Sequence, residues 1–342
     1  MKIDRRQVLG GLGVLPLVGG LAFARPHRRR ELIKPKALKP GNTVAIISPA
    51  GPLDPGELDR AVANIESLGF RAKVSKYAGG KNGFLAGTDA ERYADLRSAF
   101  ADSSVDAVWC SRGGYGVTRL LPMIDFDLIR RNPKIVIGYS DITALLLSIY
   151  QHSGLVTFHG PVATSTFTDY SKSNALDVLM GKEPDHSITF PQPPATSDAK
   201  PTAPPVVITS RKCSGQTIGG NLSLIGAMAG TPYAIGSLKN KVLFLEDVNE
   251  PLYKVDRLLT QLLQSTDVRT AAGIVLGQFT TGGNPAAETI DVVKDRLGSL
   301  EIPVVYGFPF GHIREQFTIP IGIMAELDTD KMSLRFTEKA VQ

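Results

Sequence analysis

The chain has 342 residues, enough for one large domain or two modest ones. Its net charge of +5 is concentrated at the start: Lys2, Asp4, Arg5 and Arg6 contribute +2, and Arg28-Arg29-Arg30 accounts for the other +3. The remaining body is near neutral, which argues against a nucleic-acid footprint, and two distant cysteines, Cys110 and Cys213, cannot by themselves build a disulfide framework or a zinc site.

The first residues read as an export signal. Lys2, Arg5 and Arg6 form a basic n-region with a twin-arginine pair, residues 8–24 are apolar and glycine-rich, and Ala22-Phe23-Ala24 is an A-x-A cleavage signal. The apolar run is too short and too weakly hydrophobic to read as a membrane span. The expectation is a signal peptide over 1–24, a periplasmic product, and a basic mobile tail over 25–38. In an oxidising compartment the two cysteines could bridge; two buried free thiols are the favoured reading.

Strand and helix then alternate. Thr43-Val44-Ala45-Ile46-Ile47-Ser48 reads as a strand. Asp54-Pro55-Gly56-Glu57 has the form of a capping box, and the helix it opens carries Leu58, Ala61, Val62, Ile65 and Leu68 and stops at Gly69. A strand over 71–75, a helix over 88–101 and strands over 105–110 and 135–138 follow. This order predicts an α/β fold: a Rossmann-like parallel sheet over 39–183, with its active crevice beyond the carboxyl ends of the strands. Ser48, Ser111 and Ser140 fall at such ends.

Composition breaks at 184–207, which is rich in Pro, Ser, Thr and Ala and reads as an extended linker. A smaller α/β domain is predicted over 208–342. Its helices are expected over 221–229, 252–263 and 288–297, its buried strands over 242–245, 273–277 and 304–307, and two further β pieces over 324–327 and 333–337.

Gly138-Tyr139-Ser140-Asp141 carries the chemistry. A serine on a tight strand-to-helix turn has its hydroxyl thrust out of the sheet, beside the free N–H groups of a helix start. From the residues alone, Ser140 or Asp141 acting as an ordinary N-cap remains open. A serine nucleophile needs a base. His27 falls in the tail, His186 in the linker and His152 at the end of the elbow helix. His159, at a strand end, and His312, in a glycine-rich loop after a strand, both stay in contention. The acid that orients the base is sought in Glu246-Asp247, of which strand alternation turns one toward the site. Ser111-Arg112-Gly113-Gly114-Tyr115-Gly116 lacks a phosphate-binding pattern, which counts against a nucleotide-binding enzyme. It suits an oxyanion hole, with N–H groups from Gly113 or Gly114 and from Asp141. No motif suggests a metal or another cofactor.

These stretches together resemble the LD-carboxypeptidase family of serine peptidases. The resemblance rests on 111–116 with Arg119-Leu120-Leu121-Pro122, on 137–143, on His159-Gly160-Pro161 and Gly219-Gly220-Asn221-Leu222, on Phe244-Leu245-Glu246-Asp247 with Tyr253 and Asp256-Arg257, and on Gly311-His312 with Pro320-Ile321-Gly322. It runs in order from about residue 39 to about residue 327. It implies a triad of Ser140, Glu246 and His312 assembled where a Rossmann-like domain meets a C-terminal one. It also implies cleavage between an L-configured diaminopimelate centre and a terminal D-alanine in murein tetrapeptides. A related branch, which destroys microcin C-type aminoacyl nucleotides, carries Asn-Ser-Asn-like residues after the glycine pair; Tyr115-Gly116 here favours the murein branch. The substrate carboxylate needs a cationic partner, for which Arg112 and Arg314 are candidates, with Tyr115 a further substrate contact. A catalytically inactive murein-peptide binding protein is the rival reading, and a homodimer is allowed for.

Overall fold

A computed structural model describes residues 31–182, 186–190, 205–279 and 286–342. Glu31–Gln342 forms one compact unit. In chain order its first part runs β1 (Thr43–Ile47), α1 (Glu57–Ser67), β2 (Arg71–Val74), α2 (Asp89–Ala101), β3 (Ala107–Cys110), α3 (Val117–Leu120), α4 (Phe126–Arg131), β4 (Ile135–Gly138), α5 (Thr143–Ser153), β5 (Thr157–His159) and α6 (Asp169–Leu179). The second part runs β6 (His186–Ser187), β7 (Val206–Thr209), β8 (Lys212–Asn221), α7 (Leu222–Met228), β9 (Lys241–Glu246), α8 (Leu252–Ser265), β10 (Gly273–Gly277), α9 (Ala286–Leu297), β11 (Val304–Phe308), β12 (Ile319–Ile321), β13 (Met324–Asp328) and β14 (Ser333–Phe336).

The first sheet has the order β12-β5-β4-β3-β1-β2. All neighbours are parallel except β12, which lies antiparallel to β5. The order 2-1-3-4-5 is doubly wound, and its direction reverses between β1 and β3. There Ser48 Oγ and Ser111 Oγ lie 2.7 Å apart, so the loops after both strands meet at the switch point. The second sheet has the order β6-β14-β13-β8-β9-β10-β11-β7, with β8 to β11 parallel and antiparallel strands at both flanks.

Helix α5 packs against elements of both sheets. Leu145, Leu146, Leu147 and Ile149 are fully buried, and the helix contacts β4 and β5 on one side and β8 and α7 on the other. Apolar residues on every face are what such a two-sided burial requires. Helix α2 starts as its residues dictate: Thr88 and Glu91 form a reciprocal capping box.

Several expectations are corrected. The box at Asp54 forms only in half: Glu57 Oε2 accepts the Asp54 N–H at 2.9 Å, but Gly56 turns left-handed at φ 79° and α1 begins at Glu57. Residues 31–38 are not a mobile tail. Ile33 bridges Leu155, Leu38 N–H donates to Leu179 O at 2.9 Å, and the Leu38 side chain is buried. The ends of the expected linker are strands β6 and β7, while 191–204 lies outside the described residues. Strand β8 has no apolar alternation to signal it, because Gly215, Gly219 and Gly220 interrupt the pattern; a Cβ at Gly219 would sit 1.8 Å from Phe244 O, so neighbouring backbone occupies the space. Strand β12 returns from the C-terminal half to the first sheet, with Pro320 on its edge. The second part is thus tied to the first sheet across the expected linker at 184–207. Cys110 and Cys213 are both free; Cys110 is buried, but Cys213 only partly.

The expected signal peptide, 1–24, lies outside the described residues, as do 25–30. No helix among the described residues is long and apolar enough to cross a membrane.

Candidate active site

The turn after β4 is a strained elbow. A Cβ on Gly138 would sit 2.9 Å from Ile142 Cγ2, so glycine lets the following helix fold back on the strand. Tyr139 is extended, and Ser140 then takes φ 65°, a left-handed conformation that costs a non-glycine residue about 1–3 kcal/mol. Neither Ser140 nor Asp141 caps its own helix, since no side-chain cap is found on the Ser140–Ile142 turn or on α5. Instead Asp141 Oδ2 accepts the N–H of Val117 at 2.9 Å, at the start of α3. Burial pushes the Asp141 carboxyl up to about 6, against the opposing pull of that N–H and of Arg92.

The glycine loop lies against this elbow. A Cβ on Gly113 would meet Ser140 Cβ at 2.7 Å, Ser140 Oγ at 2.9 Å and Asp141 N at 3.5 Å. The Gly113 carbonyl accepts the N–H of Gly51 at 3.1 Å. In a trans peptide C=O and N–H point opposite ways, so the Gly114 N–H is turned away from Gly51. Of the expected substrate contacts, Arg112 is held by Pro52 O at 2.9 Å and Glu57 Oε2 at 3.5 Å. Tyr115 is 52% exposed and rests on the ring of Phe84, 5.7 Å between centroids. Arg314 is exposed, and its carbonyl accepts the Ser171 hydroxyl at 3.2 Å.

The second sheet supplies the acid and the histidine. Glu246 ends β9 fully buried, and its Oε2 lies 2.7 Å from His312 Nδ1. Burial raises the Glu246 carboxyl, but the hydrogen bond and charge of His312 outweigh it and hold the group below its ordinary value. Asp247 faces the other way. It accepts the Ser223 N–H at 2.9 Å, the Ser223 hydroxyl at 2.7 Å and Asn221 Nδ2 at 3.1 Å, and burial raises it. His312 keeps 16% of its side chain exposed, and the ring of Tyr139 stands edge-on to it at 4.7 Å. The residue before Ser140 thus touches the histidine paired with Glu246. No hydrogen bond joins Ser140 to His312 among the described residues; such bonds are often long before substrate binds.

His159 is placed differently. It is buried among Tyr139, Phe244 and Phe310, and neither ring nitrogen has a hydrogen-bond partner among the described residues. Burial pulls it down to about 4, against the pull of Glu246. His152 stacks on Phe126 at 4.7 Å and His186 on Phe317 at 5.0 Å. No cluster of His, Cys, Asp and Glu suited to a metal occurs among the described residues.

A direct joint holds the two sheets in register. Asn221, at the end of β8, donates its N–H to Thr143 Oγ1 at 3.0 Å, and a Cβ on Gly220 would meet Thr143 Cγ2 at 2.6 Å. The Gly-Gly-Asn run is a contact onto the elbow helix. Sequence reasoning missed the side chains of Tyr139 and Arg92 and the backbone of Gly51. Arg92 carried a usable signal: it shares the buried face of α2 with Asp95, Leu96, Ala99 and Phe100.

Comparisons with known proteins find similarity along most of the chain. Residues 44–160 match the model of the LD-carboxypeptidase N-terminal domain, and residues 214–327 that of the C-terminal domain. A probable murein peptide carboxypeptidase of Bacillus subtilis is 39% identical over 86% of this chain and 92% of its own. A murein tetrapeptide carboxypeptidase of Pseudomonas aeruginosa is 31% identical over 84% of this chain and 94% of its own. Among solved structures, an MccF-like protein from Bacillus anthracis superposes with a TM-score of 0.81 at 30% identity, over 90% of this chain and 99% of that one.

Proposed function

Because this chain belongs to the LD-carboxypeptidase family, and is thereby a peptidase, we propose that it is a serine-type carboxypeptidase that releases the terminal D-alanine of murein tetrapeptides. The observation that carries the reading is the Glu246–His312 pair, set against the elbow that bears Ser140 through the Tyr139 ring. Glu246 occupies Nδ1 of the imidazole, which leaves Nε2 as the base. Ser140 Oγ attacks the scissile carbonyl while Nε2 takes its proton. The C–N bond then breaks, Nε2 hands that proton to the leaving amine, and Ser140 is left acylated. Water activated by the same imidazole hydrolyses the ester. The N–H groups of Asp141 and of Gly113 or Gly114 stabilise the oxyanion. Arg112 and Arg314 are the cations offered to the substrate's terminal carboxylate, and Tyr115 a contact for the peptide. The twin-arginine leader supports action outside the cytoplasm, on murein and its turnover fragments.

The likeness to an MccF-like structure supports a second reading, an immunity peptidase acting on aminoacyl nucleotides. One assay separates these readings from an inactive binding protein. The protein lacking residues 1–24 is incubated with murein tri-, tetra- and pentapeptides and with an aminoacyl sulfamoyl adenosine, and products are followed by mass spectrometry. Release of one D-alanine from tetrapeptide supports the main reading. Cleavage of the nucleotide conjugate alone supports the second, and binding without release the inactive protein.

A further inference from the structure

One peptide group beside the elbow is gripped at both ends by buried, opposite charges. The carbonyl of Gly116 accepts Arg92 Nη1 at 3.0 Å, and the N–H of the same peptide, on Val117, donates to Asp141 Oδ2 at 2.9 Å. Arg92 is 1% exposed and Asp141 2% exposed. Arg92 Nη1 also bonds Pro49 O, in the loop that sends Gly51 N–H to the Gly113 carbonyl. Its Nη2 bonds Asp89 at 2.5 Å, and Asp89 in turn accepts a fork from Arg119 on α3, at 2.9–3.1 Å. Burying a charge is costly unless it is hydrogen-bonded, and here two buried charges of opposite sign meet on one peptide.

The loop it grips needs fixing. Gly114 at φ 114° and Gly116 at φ 125° flank the exposed Tyr115, and glycine at such angles resists peptide rotation little. We propose that Arg92 and the Asp141 carboxylate are positioning residues which, by holding the Gly116–Val117 peptide from both ends, keep the loop donor, the N–H of Gly113 or Gly114, aimed at the oxyanion above Ser140. This deepens, and rests on, the serine mechanism proposed above. It separates two tasks within Asp141: its N–H serves the oxyanion, and its side chain holds the loop that supplies the other donor.

The test uses Arg92→Met, Arg92→Lys, Asp141→Ala and Asp141→Asn in the full mature chain. Folded sites are counted by end-point labelling of Ser140 with a fluorophosphonate, and kcat and KM for tetrapeptide are expressed per labelled site. Loss of one oxyanion donor costs about 10²–10³-fold in kcat. A kcat loss of that order is expected for Arg92→Met and Asp141→Ala, with KM within about threefold of wild type and at least about tenfold recovery in Arg92→Lys and Asp141→Asn. A kcat per labelled site within about threefold of wild type in both Met and Ala variants would overturn the clamp. Amide hydrogen exchange over 111–116 is measured alongside, with α8 as the remote control. Faster exchange confined to the loop is expected, and unchanged exchange there overturns the clamp whatever the activity. A wild-type chain that neither labels nor releases D-alanine would sink the serine mechanism instead, leaving exchange to decide the clamp.

Discussion

Gly311 stands directly over Glu246: a Cβ on it would lie 2.6 Å from Glu246 Oε2 and 2.7 Å from Glu246 Cβ. Gly311 also takes φ 98°. The turn that aims His312 at the buried carboxylate is therefore open only to glycine. Gly311→Ala is expected to push Glu246 from its place and cut kcat at least tenfold, with a stability loss of about 1–3 kcal/mol from backbone strain and overlap. Thermal unfolding and steady-state kinetics measured together check this; unchanged kcat would mean that the Glu246–His312 contact is not needed.

Ser140→Ala should remove about 10⁴–10⁶-fold of kcat, as loss of a triad serine does, and leave stability nearly unchanged because alanine bears the same backbone strain. Ser140→Gly should be equally inactive yet more stable, by about 1 kcal/mol, since glycine adopts φ 65° without penalty. Activity above a tenth of wild type in either variant would remove Ser140 from the mechanism.

His312→Ala should match Ser140→Ala, and the double variant should be little worse than either, because the members act as a unit. His159→Phe should keep most of the activity, since His159 is buried without a hydrogen-bond partner among the described residues. A greater loss at His159 than at His312 would reverse the assignment of the base.

Glu246→Gln should lower kcat by about 10²–10⁴-fold through loss of the charge that stabilises the imidazolium. Asp247→Asn should spare kcat and cost stability, because its carboxylate holds Ser223 and Asn221. A chelator should leave the wild type active; activity lost to it and restored by zinc would replace the serine mechanism with a metal one.

Asp141 and His159 should make opposite contributions to stability over one range of pH. The Asp141 carboxyl is raised from 3.8 to about 6, so the folded state holds its proton longer, and its contribution is present below 3.8 and lost as pH rises to 6. His159 is lowered from 6.5 to about 4, so its contribution is present above 6.5 and lost as pH falls to 4. Relative to wild type, Asp141→Asn should gain stability with rising pH across this window and His159→Phe should lose it. Denaturant unfolding at pH 4, 5, 6 and 7 reads both slopes, and equal slopes in all three proteins would refute the assignment.

Much of this molecule was legible from local order along the chain. The β-α-β alternation follows from apolar runs such as Val242-Leu243-Phe244-Leu245 and from caps such as Thr88 with Glu91, which are set by neighbours a few residues away. The elbow was legible because Gly138 and Ser140 bracket one tight turn. Which carboxylate turns inward was left open by the residues and is settled by the pleat, with Glu246 toward His312 and Asp247 toward α7. The tertiary structure alone decided what depends on distant segments meeting. Strand β12 returns to an edge of the first sheet, residues 31–38 dock beside Leu155 and Leu179, and Gly220 exists for the sake of Thr143. Arg92 lies 24 residues from the carbonyl it holds, and Asp141 lies 24 residues from the N–H at the other end of that peptide. No local pattern encodes such a meeting, because the free energy that makes it comes from burying surfaces that only the completed sheets bring together.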